Sequence, residues 1–405
     1  MIHTKSIFNF FGFYLLILAS KGIIQLALDG GAAEQTVLVS SAIFKFQYIL
    51  NIIWISISVV SIIYFLSKKH LIDLFQHDVV WYVIFVYCLS SIFWTELPGK
   101  SFSELMLIIA SFIFIQIHIN IVGSKNMFIF FDRIFLLFSI LSLIFILLIP
   151  SYGVSTGLHA GKWQGIFTHK NALGNISSLI FVYSLWRFSI TKSKVAFITI
   201  SISFIEILGS GSSTGLLNSL FCILLFISTY FYKINKKVTF LILLFLIFSF
   251  FLLFLSINSI VSKDDFRFFD FSDRNLVWIY YLKLIESKWL FGYGINQFAN
   301  NIIRNENEFR ASVGFVVQST HNGYLQNLYS IGIIGLILTL IILLKFSSIK
   351  VPPLYSRFKL LFITNFIILN IFESNFFSFN FFFIILMYFH GLIRVVSFDS
   401  DFNNK

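Results

Sequence analysis

The chain has 405 residues, 58% hydrophobic and only 12% charged, and its 29 Lys and Arg against 18 Asp and Glu give a formal charge of +11. With a mean hydropathy of +0.89, it lacks the charge a soluble protein of this length needs to cover its surface. Its long apolar runs do not alternate as the strands of an outer-membrane barrel would. The runs are about 20 residues each, the length that crosses hydrocarbon as a helix. Taken in chain order, the expected spans are 7–28, 43–66, 78–94, 103–122, 127–149, 171–189, 195–209, 214–232, 238–258, 321–345, 358–378 and 380–396. The expected fold is therefore an all-α polytopic membrane protein of about 12 transmembrane helices, a single integral membrane domain over 1–405. A Gly123-Ser124-Lys125-Asn126 turn is expected between the fourth and fifth spans. The first span is long and lacks a small-residue cleavage site, so it is expected to stay in place.

Basic residues set the expected orientation. With the N-terminus in the cytoplasm, the inner segments hold Lys68, Lys69, Arg187, Lys192, Lys194, Lys233, Lys236, Lys237 and Arg357, among others. The short outer loops carry only Lys45, Lys100, Lys162 and Lys170. Short cytoplasmic loops are enriched in Lys and Arg, so both termini are expected inside. The positive charge is thereby explained by topology, and no nucleic acid is implied. Cys88 and Cys222 fall inside spans and are expected to be packing residues. No CxxC, HExxH, Walker or dinucleotide fingerprint is present, which argues against soluble nucleotide chemistry.

One larger outer segment, 259–320, separates the ninth and tenth spans. Within it, Asn275 to Phe291 places Leu276, Ile279, Leu282, Ile285 and Trp289 at helical spacing. An amphipathic helix along the membrane surface is expected, with Trp278 and Trp289 at the interface. Gly292-Tyr293-Gly294 then turns the chain back, and Asn300 to Arg310 reads as a solvated loop.

Polar residues collect at the outer ends of the even-numbered spans. The sixth opens with His169-Lys170-Asn171 and the tenth with His321-Asn322, while Gly209 to Thr214 (GSGSST) precedes the eighth. Helix N-termini present unpaired N–H groups and partial positive charge, and so favour anions. Converging, these ends would form a cationic pocket at headgroup level, suited to a diphosphate-linked lipid. Glu206 near the outer end of the seventh span is expected to pair with Lys170 or a Ser-rich loop donor. Glu373 between the last two spans is expected to orient a cation or to bind acceptor sugar. A transporter of lipid-linked sugars would instead need charges lining a path at the midplane. Its candidates are few: Lys21, Glu206 and Asp132 with Arg133.

The stretches GIFTHKNALG, GSGSSTGLL, DRNLVWIYYLKLIESKWLFGYG and THNGYLQNLYSIGIIGL together resemble the bacterial O-antigen ligase and O-antigen or exopolysaccharide polymerase superfamily, over roughly 150 to 345. The resemblance implies a GT-C-like glycosyltransferase of the cytoplasmic (inner) membrane with its site facing the periplasm or exterior. The donor would be an undecaprenyl-diphosphate-linked oligosaccharide. The acceptor would be a second lipid-linked repeat, lipid A core or, in a third type of relative, a protein. No cofactor and no metal are implied, and a chain-length regulator is a candidate partner. By motif, Arg274 would bind diphosphate, with Trp278 closing its Arg-x-x-x-Trp pattern. His321, beside Asn322, would assist the attacking hydroxyl. His169, Lys170 and Asn171, with Ser212, Ser213 and Glu373, would complete the substrate site. Relatives carry a basic residue in the Ser-rich motif where this chain has Ser213, so Lys170, Arg267, Arg310 or backbone amides would have to replace it. The HKN-type motif resembles polymerases more than ligases.

Overall fold

The computed structural model describes residues 2–22, 41–67, 79–156, 159–231, 274–297 and 319–398. The described residues are helical, with one isolated bridge between Val154 and Trp163 and no longer strand among them. The helices are α1 (Ile2–Ser20), α2 (Ser41–Ser67), α3 (Val79–Ser90), α4 (Pro98–Val122), α5 (Ser124–Leu148) and α6 (Lys170–Thr191). They continue with α7 (Lys194–Ser210), α8 (Ser213–Phe231), α9 (Arg274–Ser287), α10 (Gly323–Ser348), α11 (Pro353–Phe372) and α12 (Phe381–Phe398). Helices stand where every expected span but the ninth was read. Six of them are long and apolar enough to cross a membrane: those over Phe46–Ser67, Pro98–Val122, Ser124–Leu148, Gly323–Ser348, Pro353–Phe372 and Phe381–Phe398. The ninth span (238–258), the end of the first, Arg267, and most of segment 259–320 including Asn300 to Arg310 lie outside the described residues.

Helix is the economical answer for these runs, because hydrocarbon offers no partner to an open N–H or C=O. Local chemistry sets the ends. Pro98 and Pro353 open α4 and α11, where a missing N–H costs nothing. The Ser193 hydroxyl caps α7 by accepting from the Ala196 N–H at 3.1 Å. Gly123 alone, at φ 83°, joins α4 to α5, a shorter link than the expected turn 123–126. α11 lies five residues nearer the N-terminus than the expected 358–378: Pro353 starts it, and the chain leaves helix at Glu373.

α12 is the central helix, buried from Phe381 to Ile393. Phe389 meets Phe131, Phe358 and Phe362 edge-on, with ring centroids 4.9, 4.8 and 4.8 Å away. α2, by contrast, turns Tyr48, Ile52, Val60 and Ile63 outward, as lipid-facing helices do. Between helices already surrounded by lipid, close packing and hydrogen bonds must supply the association. Glycine provides the close approach of α6 to α8: a Cβ on Gly215 would fall 2.5 Å from the Gly174 carbonyl oxygen. Buried polar groups add to this: Ser219 bonds Ser178 between α8 and α6 at 2.9 Å, and Asn218 donates to the Asn365 carbonyl between α8 and α11 at 3.3 Å.

α10 is broken. Gly332 sits at φ 64°, ψ −171°, and the carbonyls freed by the break find partners outside the helix. The Tyr293 N–H donates to Tyr329 at 2.9 Å, the Gly294 N–H to Ser330 at 2.8 Å, and the Tyr87 hydroxyl to Ile331 at 2.8 Å. Gly332 and Gly292 lie backbone against backbone, which no larger residue would permit. The half-helix beginning at Gly323 is thus clasped by the loop after α9.

α9 ends at Ser287, short of the expected Phe291, where the chain turns toward Gly292. Its protein-facing side lies apart from the expected membrane stripe, save for Ile285. Val277, Tyr280, Tyr281 and Ile285 pack on Tyr329, whereas Leu276, Ile279, Leu282 and Trp289 stay exposed. Both faces of α9 are apolar, and the sequence pattern marked the outer one. Asp132, one of the candidate path charges, is held by Arg187 of α6 in a two-pronged ion pair at 2.6 and 2.8 Å.

Candidate functional site

The ends of α6, α8, α10 and α11 supply the polar groups of one pole of the bundle, and Glu373 stands at the centre of that cluster. It is the residue at which α11 gives way to extended chain. One carboxylate oxygen lies 3.5 Å from Arg274 Nη2 and the other 3.5 Å from His321 Nδ1. Arg274 also donates from Nη1 to the Phe372 carbonyl at 2.7 Å, which fixes its guanidinium at the start of α9. Burial by itself would raise the Glu373 pKa. The facing His321 imidazole and the Arg274 charge outweigh it and hold the carboxyl below the ordinary carboxylate range.

His321 is presented by a built turn. Its backbone adopts φ 50°, outside the helix that Asn322 caps by accepting from Leu325 N–H at 3.0 Å. Thr320 is buried and bonded on three sides: its N–H to Gln326 at 3.1 Å, its hydroxyl to the Asn322 carbonyl at 2.7 Å, and its carbonyl to the Trp278 indole at 2.8 Å. Ser374 accepts from Asn322 N–H at 3.2 Å and shares a hydrogen with Thr320 at 3.1 Å. The indole of half-buried Trp278 thereby holds the His321 turn. Asn370, missed by sequence reasoning, closes against Gly323 and accepts from Asn375 N–H at 3.1 Å, joining the Glu373 loop to α10.

His169 caps α6, its Nδ1 accepting from the Asn171 N–H at 3.1 Å. Burial, with the nearby His159 and Lys170 adding to it, pushes its pKa down to about 4, although Glu373 pulls the other way. The direction favours a neutral ring at neutral pH: its Nδ1 lone pair faces an amide N–H, and burial disfavours the charged form. That His169 senses both Glu373 and His321 brings the α6 end into the same site.

The Ser-rich turn joins through α6. Gly174, one turn into α6, packs against Ser210 and Ser212. Ser212 is buried, and its hydroxyl caps α8 by accepting from Gly215 N–H at 3.2 Å. Ser213 beside it is exposed. Glu206 is buried below and accepts from Ser177 at 2.8 Å, a helix donor and not the expected Lys170 or loop donor. Among the described residues, no group of three His, Cys, Asp or Glu is placed to share a metal ion. Cys88 and Cys222 are free and buried.

Two further residues reach this pole on a small hairpin that the sequence reading passed over. The Val154–Trp163 bridge closes it, and the Trp163 N–H donates to Gly209 at 3.0 Å. His159 meets His169 edge-on at 5.4 Å, and Lys162 reaches over Gly211. Their only sequence signal was a basic residue six positions ahead of THKN, which topology had already accounted for.

Residues 197–340 match the O-antigen ligase family. The O-antigen ligase match holds Ser212, Ser213, Arg274, Trp278, His321 and Asn322, and it supports the superfamily resemblance drawn from the motifs. His169, Lys170 and Glu373 lie outside the matched stretch, and Glu373 joins it through Arg274 and His321. No curated protein matches the chain.

Proposed function

We propose that the protein is a polysaccharide polymerase that transfers glycan from undecaprenyl diphosphate to a hydroxyl of an acceptor lipid-linked repeat at the outer face of the cytoplasmic membrane. The observation that carries this reading is Glu373, which is shared by Arg274 and His321. A carboxylate beside Nδ1 keeps the proton on that nitrogen and leaves the Nε2 lone pair to accept the proton of an attacking hydroxyl. Arg274, always charged and forked, suits a diphosphate leaving group. The acceptor oxygen forms the new bond to the donor's anomeric carbon. The bond from that carbon to phosphate breaks, and its electron pair leaves with undecaprenyl diphosphate. His169 is neutral and serves as a hydrogen-bonding wall, while Lys170 stands beside it at the α6 N-terminus. Ser213 and Asn171 are the remaining contacts assigned to the donor, and Ser212, Asn322 and Trp278 hold the turns that present it.

The family matched is named for ligation, which favours a second reading in which the acceptor is lipid A core. Purified protein given undecaprenyl-diphosphate-linked repeats, chelator and no nucleotide sugar separates the two. A ladder of lengthening glycan is expected, and its loss in Arg274→Ala protein ties it to this site. Transfer only after lipid A core is added would make the protein a ligase. Silence with both acceptors would overturn the glycosyltransferase reading and return the transporter.

A further inference from the structure

The donor assigned above carries a diphosphate, yet the strongest cation of the site is already engaged. Arg274 shares its charge with Glu373 and donates to the Phe372 carbonyl. A diphosphate arriving there meets a guanidinium half-neutralised by a carboxylate and, at the α6 N-terminus, Lys170, so one more positive charge would strengthen the site. Ser213 supplies none.

The chain around the Val154–Trp163 bridge brings one. Its frame is rigid: the Ser155 N–H donates to the Lys162 carbonyl at 2.7 Å, and the Ser155 hydroxyl to buried Gln164 at 3.0 Å. Gln164 in turn donates to the Tyr152 carbonyl at 2.8 Å. Trp163 lies flat against Gly209, where no Cβ would fit, so the backbone on either side of the tryptophan is fixed to the α7–α8 turn. From there the Lys162 side chain folds over Gly211. A Cβ at Gly211 would fall 3.0 Å from the Lys162 ammonium and 2.9 Å from its Cδ. Gly211 itself sits at φ 57°, so this turn both needs glycine and leaves room for the lysine. No carboxylate lies within ion-pair distance of Lys162 among the described residues. The hairpin also sets His159 against His169, which ties its other end to the α6 N-terminus.

We infer that Lys162, held over the Ser210-Gly211-Ser212 turn by the chain that Val154 and Trp163 pair, is a further cation for the diphosphate of the lipid-linked donor. The inference rests on the donor-binding reading above and names a residue outside the matched family stretch. The Gly211 and Ser212 N–H groups are spent on the Leu208 carbonyl and the Ser210 hydroxyl, so the ammonium held beside the start of α8 is what this turn offers an anion. A competing role exists for the same ammonium, since it also stands at the carbonyl end of α7, where a cation favours the helix dipole.

Binding to purified protein in detergent separates these roles, with undecaprenyl diphosphate and inorganic pyrophosphate as probes. Lys162→Ala is expected to weaken both by about tenfold, the loss of one charge-assisted hydrogen bond. Lys162→Arg should restore binding, and thermal midpoints of all three proteins should agree. Unchanged binding by Lys162→Ala, with or without a lowered midpoint, would leave the lysine to α7 and overturn the inference while the donor site stands. If the unaltered protein binds neither probe, the donor reading falls and the inference falls with it.

Discussion

At the residue scale, the Arg274–Glu373–His321 group works as one unit, so each member has a distinct signature. Glu373→Gln removes the charge that keeps the His321 proton on Nδ1 and leaves an amide facing the guanidinium. Glycan transfer is expected to fall on the order of a hundredfold or more, as for the loss of a general base, while membrane insertion stays normal. His321→Gln is expected to keep more activity than His321→Ala if hydrogen bonding to the acceptor suffices; gel sizing of the product reads both. His169 gives a stability signature. Its ordinary pKa of 6.5 falls to about 4 in the folded protein, so below 6.5 the unfolded chain takes up a proton that the folded one refuses. Stability should therefore decline as pH drops from about 6.5 toward 4. His169→Asn keeps a capping side chain and removes the titration, so its melting temperature should vary less across that window. Equal slopes for the two proteins would contradict the buried, neutral His169.

At the element scale, the decisive feature is the break in α10. It divides the helix into a short half that starts beside His321 and a longer half that continues into the bundle. The short half is held by the loop after α9 through the Tyr293 and Gly294 amides. Gly332→Ala would force a Cβ onto the Leu290 carbonyl at a positive φ. A loss of about 2 kcal/mol is expected from the strained backbone alone. Thermal unfolding should show it, and transfer activity should fall further than stability because the His321 turn loses its seat. The break was hidden in the sequence, where IGIIGL reads as ordinary small-residue spacing within an apolar helix. Only the arrival of Leu290 to Gly294 beside it makes a broken helix cheaper than a continuous one. α9 teaches a related lesson: its helical period was legible, but with apolar residues on both sides the choice of buried face was left to the fit of Tyr281 against Tyr329, 5.1 Å apart.

At the scale of the whole molecule, the site gathers at the pole that the basic residues assign to the outside. Thr191 and Ala160 are both exposed and fall at opposite ends by that assignment. With Cys88 and Cys222 buried, a single cysteine introduced at either position should dominate labelling. An impermeant maleimide is expected to label Ala160→Cys in intact cells with opened outer envelopes, and Thr191→Cys only after lysis. The reverse pattern would invert the molecule and remove the site from the exterior.

By itself the sequence determined the membrane class, the place of the helices and the motifs at their ends, because span length, charge bias and helix-terminal polar residues are local properties. It also singled out Arg274, His321 and Glu373 as separate residues. The tertiary structure decided that these three form one group, that His169 caps α6, that Trp278 holds the His321 turn and that Lys162 reaches the Ser-rich turn. It also decided that α12 lies at the centre and α2 at the edge. The physical reason is common to all of these. Lipid and protein interior are equally apolar, so a hydrophobic run records how long a helix is and not which side meets its neighbours. That choice comes from glycine contacts, aromatic fit and scarce polar bonds between segments far apart in the chain.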